Sequence, residues 1–238
     1  MTDGGGVDPG GINDDPEPES PPGGVAWRAV LYDGHSLGLA RQAQTFFDLA
    51  IQPACARVAA DLAALQRGPD DATIDRWDRL RETQLELHRS FALALGGMWE
   101  RHFRRHLWHS AVILDPTSQA LNKGIERATW EELMGAFRRV RAFALSDLPS
   151  YPALALLHDV SSAVRHGNGS ATERLHRLRP ELFAHEPVRS WFGYFTLGGE
   201  PAHSIHRLDI SLDQLAAFAD AIADYWRSIW AFQRGSKI

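Results

Sequence analysis

The sequence predicts an all-α protein, an up-and-down helical bundle of about five main helices in which one helix is very long. Beyond residue 36, apolar residues recur mostly at spacings of three and four, which is the period of an amphipathic helix. The first 24 residues are instead rich in glycine, proline and acidic residues. Such a segment has too little apolar surface to offset the entropy of ordering it. We therefore expect a disordered tail over 1–24 and a single helical domain over 25–238.

The first half of the domain contains two helical patterns. The first begins at Ser36 and is interrupted by Pro53, which predicts either a kink or the start of a new helix. The second is much longer and extends from Ala72 to His109. It includes Gly96 and Gly97, and glycine is unfavourable inside a helix. The pair predicts a bend in the long helix or the close approach of another helix.

The second half shows clear signals for helix ends. Capping-box sequences at Thr129–Glu132 and Ser211–Gln214 predict the starts of two helices. Between them, Pro152 suits the first turn of a further helix, and Gly167 suits its end. A short helix fits residues 170–178.

Two segments do not fit a plain bundle. Residues 188–210 place aromatic and apolar runs on either side of a glycine pair, which fits a small hairpin or an ordered loop. The far half of the long helix carries Phe103 and Leu107, and an isolated overhang would leave both side chains in water. We therefore expect this half to pack on a second subunit, as a homodimer.

Composition limits the classes of function. The net charge of −5 argues against attraction of nucleic acid by the whole surface, although a local basic patch remains compatible with it. The single cysteine, Cys55, excludes an intramolecular disulfide framework and fits a buried small side chain. No apolar run is long enough to span a bilayer, and no export signal is visible. We expect a cytoplasmic protein without membrane contact.

The helix that ends at Gly167 carries one candidate site. At the helical period, Asp159 and His166 share a face, and His158 and Arg165 lie together beside it. Histidine exchanges protons near neutral pH, and arginine holds phosphate through two hydrogen bonds. Together they would suit cleavage of RNA without a metal. The alternative is a solvated face in which His166 interacts with the carbonyl groups at the helix end.

A second candidate site lies on the long helix, where Arg101 is followed by His102 and His106. The histidines continue the apolar stripe, so at least some of them should face the interior or a cleft. This pattern fits an RNA-phosphate site with a histidine placed for acid–base work, or simply a basic helix end. The spacing of His102 and His106 also suits zinc, but neighbouring arginines would repel a dication. We predict no metal and no cofactor.

The run from Arg165 to Ser170, Arg-His-Gly-Asn-Gly-Ser, resembles the helix end of a group of uncharacterised bacterial helical proteins. The nearest characterised group to which it is similar is the HEPN superfamily. That resemblance implies an all-α, usually dimeric domain of toxin–antitoxin, abortive-infection or CRISPR systems, whose active members are metal-independent ribonucleases. In the family motif four to six residues separate an arginine from the histidine that follows it, and the run from Arg101 to His106 fits this pattern in its letters. Counted back from His166, the arginine of the motif falls at 159–161, which hold Asp, Val and Ser.

Two functions follow from these observations. The first is a HEPN-like, metal-independent endoribonuclease or toxin component of bacterial defence, with RNA and a cognate antitoxin as partners. Its catalytic candidates are Arg101, His102, His106, His158, Asp159, Arg165 and His166. The second is a non-catalytic, dimeric helical adaptor or immunity protein in which the site has degenerated.

Overall fold

The structure, a computed structural model, describes residues 31–65, 71–114, 124–183 and 201–235, and it confirms the predicted all-α bundle. The predicted tail lies outside these residues. The α helices in chain order are α1 (Ser36–Phe46), α2 (Gln52–Ala64), α3 (Asp71–Leu114), α4 (Trp130–Arg141), α5 (Tyr151–His166), α6 (Ser170–Leu178) and α7 (Leu212–Gly235). A 3-10 turn at Leu31–His35 precedes α1, and others lie at Leu145–Asp147, Pro180–Leu182 and Ile205–Arg207.

At the predicted interruption by Pro53 the chain stays helical, because α1, a π turn and α2 follow one another without a non-helical residue between them. A π turn at Phe47–Ile51 ends α1 and leads into α2, where Pro53 occupies the first turn. A proline inside a helical run removes one backbone hydrogen bond, and its ring crowds the carbonyl group of the preceding turn. The π turn at Phe47–Ile51 lies in that preceding turn. Cys55, one turn inside α2, is buried as predicted.

The long pattern forms α3, which packs against α2, α4, α5 and α7, while α1 packs along α7. Its core face stacks Trp99 on Phe103, with ring centroids 5.3 Å apart. Both Phe103 and Leu107 are fully buried within the single chain. The expectation that they would lie in water without a second subunit is therefore wrong, because α4 and α7 already cover this part of α3. The argument for a homodimer from these two residues no longer holds.

The glycine pair in α3 marks a close approach, as one of the two alternatives predicted. A Cβ atom built on Gly96 would lie only 2.7 Å from both side-chain atoms of Ser161 in α5. The absence of a side chain at Gly96 is therefore what allows α3 and α5 to cross at this point.

The predicted starts of α4 and α7 and the predicted end of α5 are confirmed, whereas α3 extends to Leu114, beyond the predicted end at His109. The hydroxyl of Thr129 accepts from the backbone N–H of Glu132, whose carboxylate accepts in return from the backbone N–H of Thr129. Ser211 and Gln214 form the same reciprocal pair at the start of α7. Gly167 ends α5 with a φ of +65°, a conformation that favours glycine.

The segment expected to be a hairpin or an ordered loop is described only from residue 201 onward. In that part it forms an ordered loop with a 3-10 turn, and Leu208 makes an isolated bridge with Phe183. Two buried side chains of α3 hold it in place. The ring of His88 bonds the carbonyl of Ile210, and Arg89 donates to the carbonyl of Leu208 at 2.9 Å.

Candidate functional site

A charged pair lies inside the core, where the end of α4 meets the 3-10 turn before α1. The guanidinium of Arg141 donates two hydrogen bonds to the carboxylate of Asp33, at 2.6 and 3.1 Å. Both side chains are fully buried. Buried charges of opposite sign compensate each other only when the geometry is good, and a two-pronged contact between arginine and a carboxylate provides it.

His106 and Ser110 of α3 complete this buried network. Arg141 Nη2 lies 2.9 Å from His106 Nε2 and 2.6 Å from the hydroxyl of Ser110. Arg141 Nη2 carries two hydrogens, and it has a third close partner in Asp33 Oδ1 at 2.6 Å, so these contacts share its hydrogens. Because a guanidinium has only donors, the contact suits a neutral imidazole with an unprotonated Nε2. Burial lowers the pKa of His106 well below its ordinary value of 6.5, and the nearby charge of Arg141 lowers it further.

Three members of this network, Asp33, Ser110 and Arg141, were not predicted from the sequence as part of a site. A signal existed for Arg141, which lies one turn beyond Phe137 and so continues the apolar stripe of α4 into the core. No local pattern pointed to Asp33, since its partner is 108 residues away along the chain.

A second cluster lies at the surface where α5 meets α3 and the start of α4. The imidazole of His158 stacks on the ring of Trp130, with centroids 4.3 Å apart and planes 13° apart. Burial lowers the pKa of His158, and the negative charges of Asp159 and Glu100 oppose part of that shift. The imidazole is half-buried, and its lowered pKa keeps it neutral near pH 7.

The charged residues around His158 are paired with one another. Glu100 accepts from Arg104 at 2.7 Å and lies 3.7 Å from Arg165, and Asp159 pairs with Arg174 at 2.6 Å. Arg104 also donates to three backbone carbonyl groups in the segment before α4, at 2.7, 3.4 and 2.9 Å. This arginine therefore fixes the entry to α4.

The structure places the seven predicted site residues in different surroundings. It brings His158, Asp159 and Arg165 together in the surface cluster, whereas His166 is exposed at the end of α5. On α3, Arg101 is exposed, and His102 is half-buried with its pKa lowered by burial and by neighbouring arginines. His106 lies in the core instead. Arg101 and His106 are therefore not brought to one site, and a catalytic role for any of these residues stays a prediction.

Within the four described stretches of chain, no group of three or more histidine, cysteine, aspartate or glutamate side chains is placed to hold a metal ion. The helices in these stretches include none with the length and apolar character needed to cross a bilayer. No protein-family model, curated protein or solved structure matches this chain.

Proposed function

We propose that this chain is a non-catalytic helical protein that acts by binding a partner protein, the adaptor or immunity class considered above. The observation that carries this proposal is the burial of His106. A group that transfers a proton must come within hydrogen-bond distance of its substrate. His106 is sealed in the core and bonded to Arg141, so a substrate would reach it only if the core opened.

The surroundings of His158 and Arg165 support the same conclusion. A metal-independent ribonuclease would need an imidazole and a guanidinium turned toward one phosphate in an open groove. Here His158 is packed flat on Trp130, and Arg165 lies beside Glu100. No arginine occupies 159–161, where the HEPN-like motif has one.

A surface suited to a partner lies at the end of α3. Trp108 and Ile113 are exposed by 39% and 53%, and Val112 beside them is exposed by 38%. Arg105 lies about one turn before Trp108 on the same helix, and it is also exposed. Tryptophan and arginine are enriched among the residues that dominate binding energy at protein interfaces. We call Arg105, Trp108, Val112 and Ile113 the α3 end patch.

The test uses the product of a gene adjacent to the one that encodes this chain, purified and mixed with it. We expect a complex that the double variant Trp108→Ser/Ile113→Ser weakens by about thirtyfold or more, as loss of an interface anchor does. Leu178→Ser is the matched control, because Leu178 is exposed by 59% on α6. Equal weakening by the control, or wild-type binding by the double variant, would contradict the proposal.

A HEPN-like metal-independent ribonuclease, or toxin component of a defence system, is the second candidate. The surface cluster favours it, because His158 is neutral near pH 7 and has Arg165 on the same helix. The assay incubates tRNA and mRNA with the wild type in EDTA, beside His158→Ala and His166→Ala. Cleavage by the wild type that either variant abolishes would establish the ribonuclease and overturn the first proposal. Intact RNA in every reaction is the result we expect.

A further inference from the structure

A cleft separates the last turns of α2 from the first third of α3. Its volume is about 740 Å³, within the range of small-molecule sites. Three arginines line it, Arg57 from α2 and Arg76 and Arg79 from α3. Leu65 and Leu80 contribute an apolar wall. Both helices therefore bring guanidinium groups and leucine side chains to the cleft.

The charges of this cleft are not balanced by its own residues. Asp61 is the carboxylate that lines it, and Arg57 pairs with Asp61 at 3.4 Å. The guanidinium groups of Arg76 and Arg79 have neither an ion pair nor a hydrogen bond among the residues that the structure describes. Like charges held in one cleft repel each other, and a bound anion relieves that repulsion.

The chemistry of the lining identifies a class of ligand. A guanidinium presents a planar fork of donors that matches two oxygens of a phosphate. A simple inorganic anion would use the arginines but would leave Leu65 and Leu80 without a contact. An organic phosphate fits both parts of the lining, with its phosphate on the arginines and its apolar body on the leucines.

We propose that the cleft between α2 and α3 binds an organic phosphate through Arg76 and Arg79. This site is separate from the α3 end patch, since Arg79 and Trp108 are 29 residues apart on one helix, which is about 43 Å along its axis. The proposal thus stands or falls independently of the partner-binding function.

Isothermal titration calorimetry on the full chain tests it, with adenosine triphosphate and inorganic pyrophosphate as the two probes. We expect adenosine triphosphate to bind more tightly than pyrophosphate, because only the former reaches the apolar wall. Its affinity should fall as salt is added. The variant Arg76→Gln/Arg79→Gln should weaken binding by about tenfold for each guanidinium removed.

The matched control is Arg41→Gln/Arg138→Gln, which removes two exposed arginines outside the cleft. This control should bind adenosine triphosphate as the wild type does, and circular dichroism should show both variants folded. If neither probe gives a heat of binding at millimolar concentration, the proposal is overturned. Equal weakening by the control would also overturn it, because it would show unspecific attraction. Equal affinity for the two probes would overturn the organic part and the role of the leucines.

Discussion

Replacing Arg141 with methionine removes the guanidinium that neutralises Asp33 inside the core. Both side chains are fully buried, and the two hydrogen bonds between them are 2.6 and 3.1 Å long. Methionine has a comparable length and no charge, so the packing volume is largely kept. The main effect of Arg141→Met is therefore a carboxylate without its counter-charge in a site that water does not reach.

The expected loss is large on the scale of protein stability. Breaking a buried ion pair by removing one partner costs about 3–5 kcal/mol, whereas whole domains are stable by about 5–15 kcal/mol. Removing both charges is milder, because no buried charge is then left alone. We therefore expect Asp33→Leu/Arg141→Met to be more stable than Arg141→Met.

Equilibrium unfolding in urea, followed by far-UV circular dichroism, measures these differences. Arg138→Met is the control, since Arg138 is exposed on the same helix, and its effect should stay within about 0.5 kcal/mol. A loss below about 1 kcal/mol for Arg141→Met would refute the reasoning, because it is less than a buried, unpaired carboxylate demands. The reasoning would also be refuted if Asp33→Leu/Arg141→Met proved less stable than Arg141→Met.

Four further predictions concern the pH response and single side chains. As pH falls below 6.5, the unfolded chain protonates His106 while the folded chain does not. This residue alone should therefore lower the free energy of unfolding by up to about 1.4 kcal/mol per pH unit. In urea titrations between about pH 7 and 5, the free energy of unfolding of His106→Asn should fall less steeply with falling pH than that of the wild type. An equal slope in the two proteins would contradict this prediction. Gly96→Ala should destabilise the fold by about 1–3 kcal/mol, because its methyl group would meet Ser161 at 2.7 Å. Gly135→Ala has nothing within 4 Å and should stabilise α4 by about 0.5–1 kcal/mol, so equal effects at the two glycines in thermal melts would contradict the close approach. Thr129→Ala should lower stability by about 1 kcal/mol through loss of the capping box, and a neutral result by the same melts would mean that the cap is not maintained in solution.

The helix ends could be predicted because their causes are local. A threonine cap and its glutamate partner are three residues apart, and the hydrogen bonds that they make are those that the sequence pattern describes. Pro53 and Gly96 likewise act on the helices at the positions where they stand in the sequence. The sequence therefore supported the order of the elements and the closest helix crossing.

The site was harder to predict, because it depends on which face of each helix is covered. His106 follows Phe103 on the inner face of α3, and the same pattern fits a histidine that lines a cleft or one that is sealed in a core. Only the position of Arg141, brought in by another helix, decides between the two. The same ambiguity produced the wrong expectation for Leu107, whose cover is supplied by the chain itself.

Chemical access to individual histidines tests the central claim, which is that His106 serves the fold and not a reaction. The measurement is modification of the native protein by diethyl pyrocarbonate, with each site quantified by mass spectrometry over time. We expect exposed His166 to react readily and His106 to stay unmodified until the protein is unfolded. Modification of His106 in the native protein at the rate of His166 would contradict the account, because it would open that imidazole to substrates.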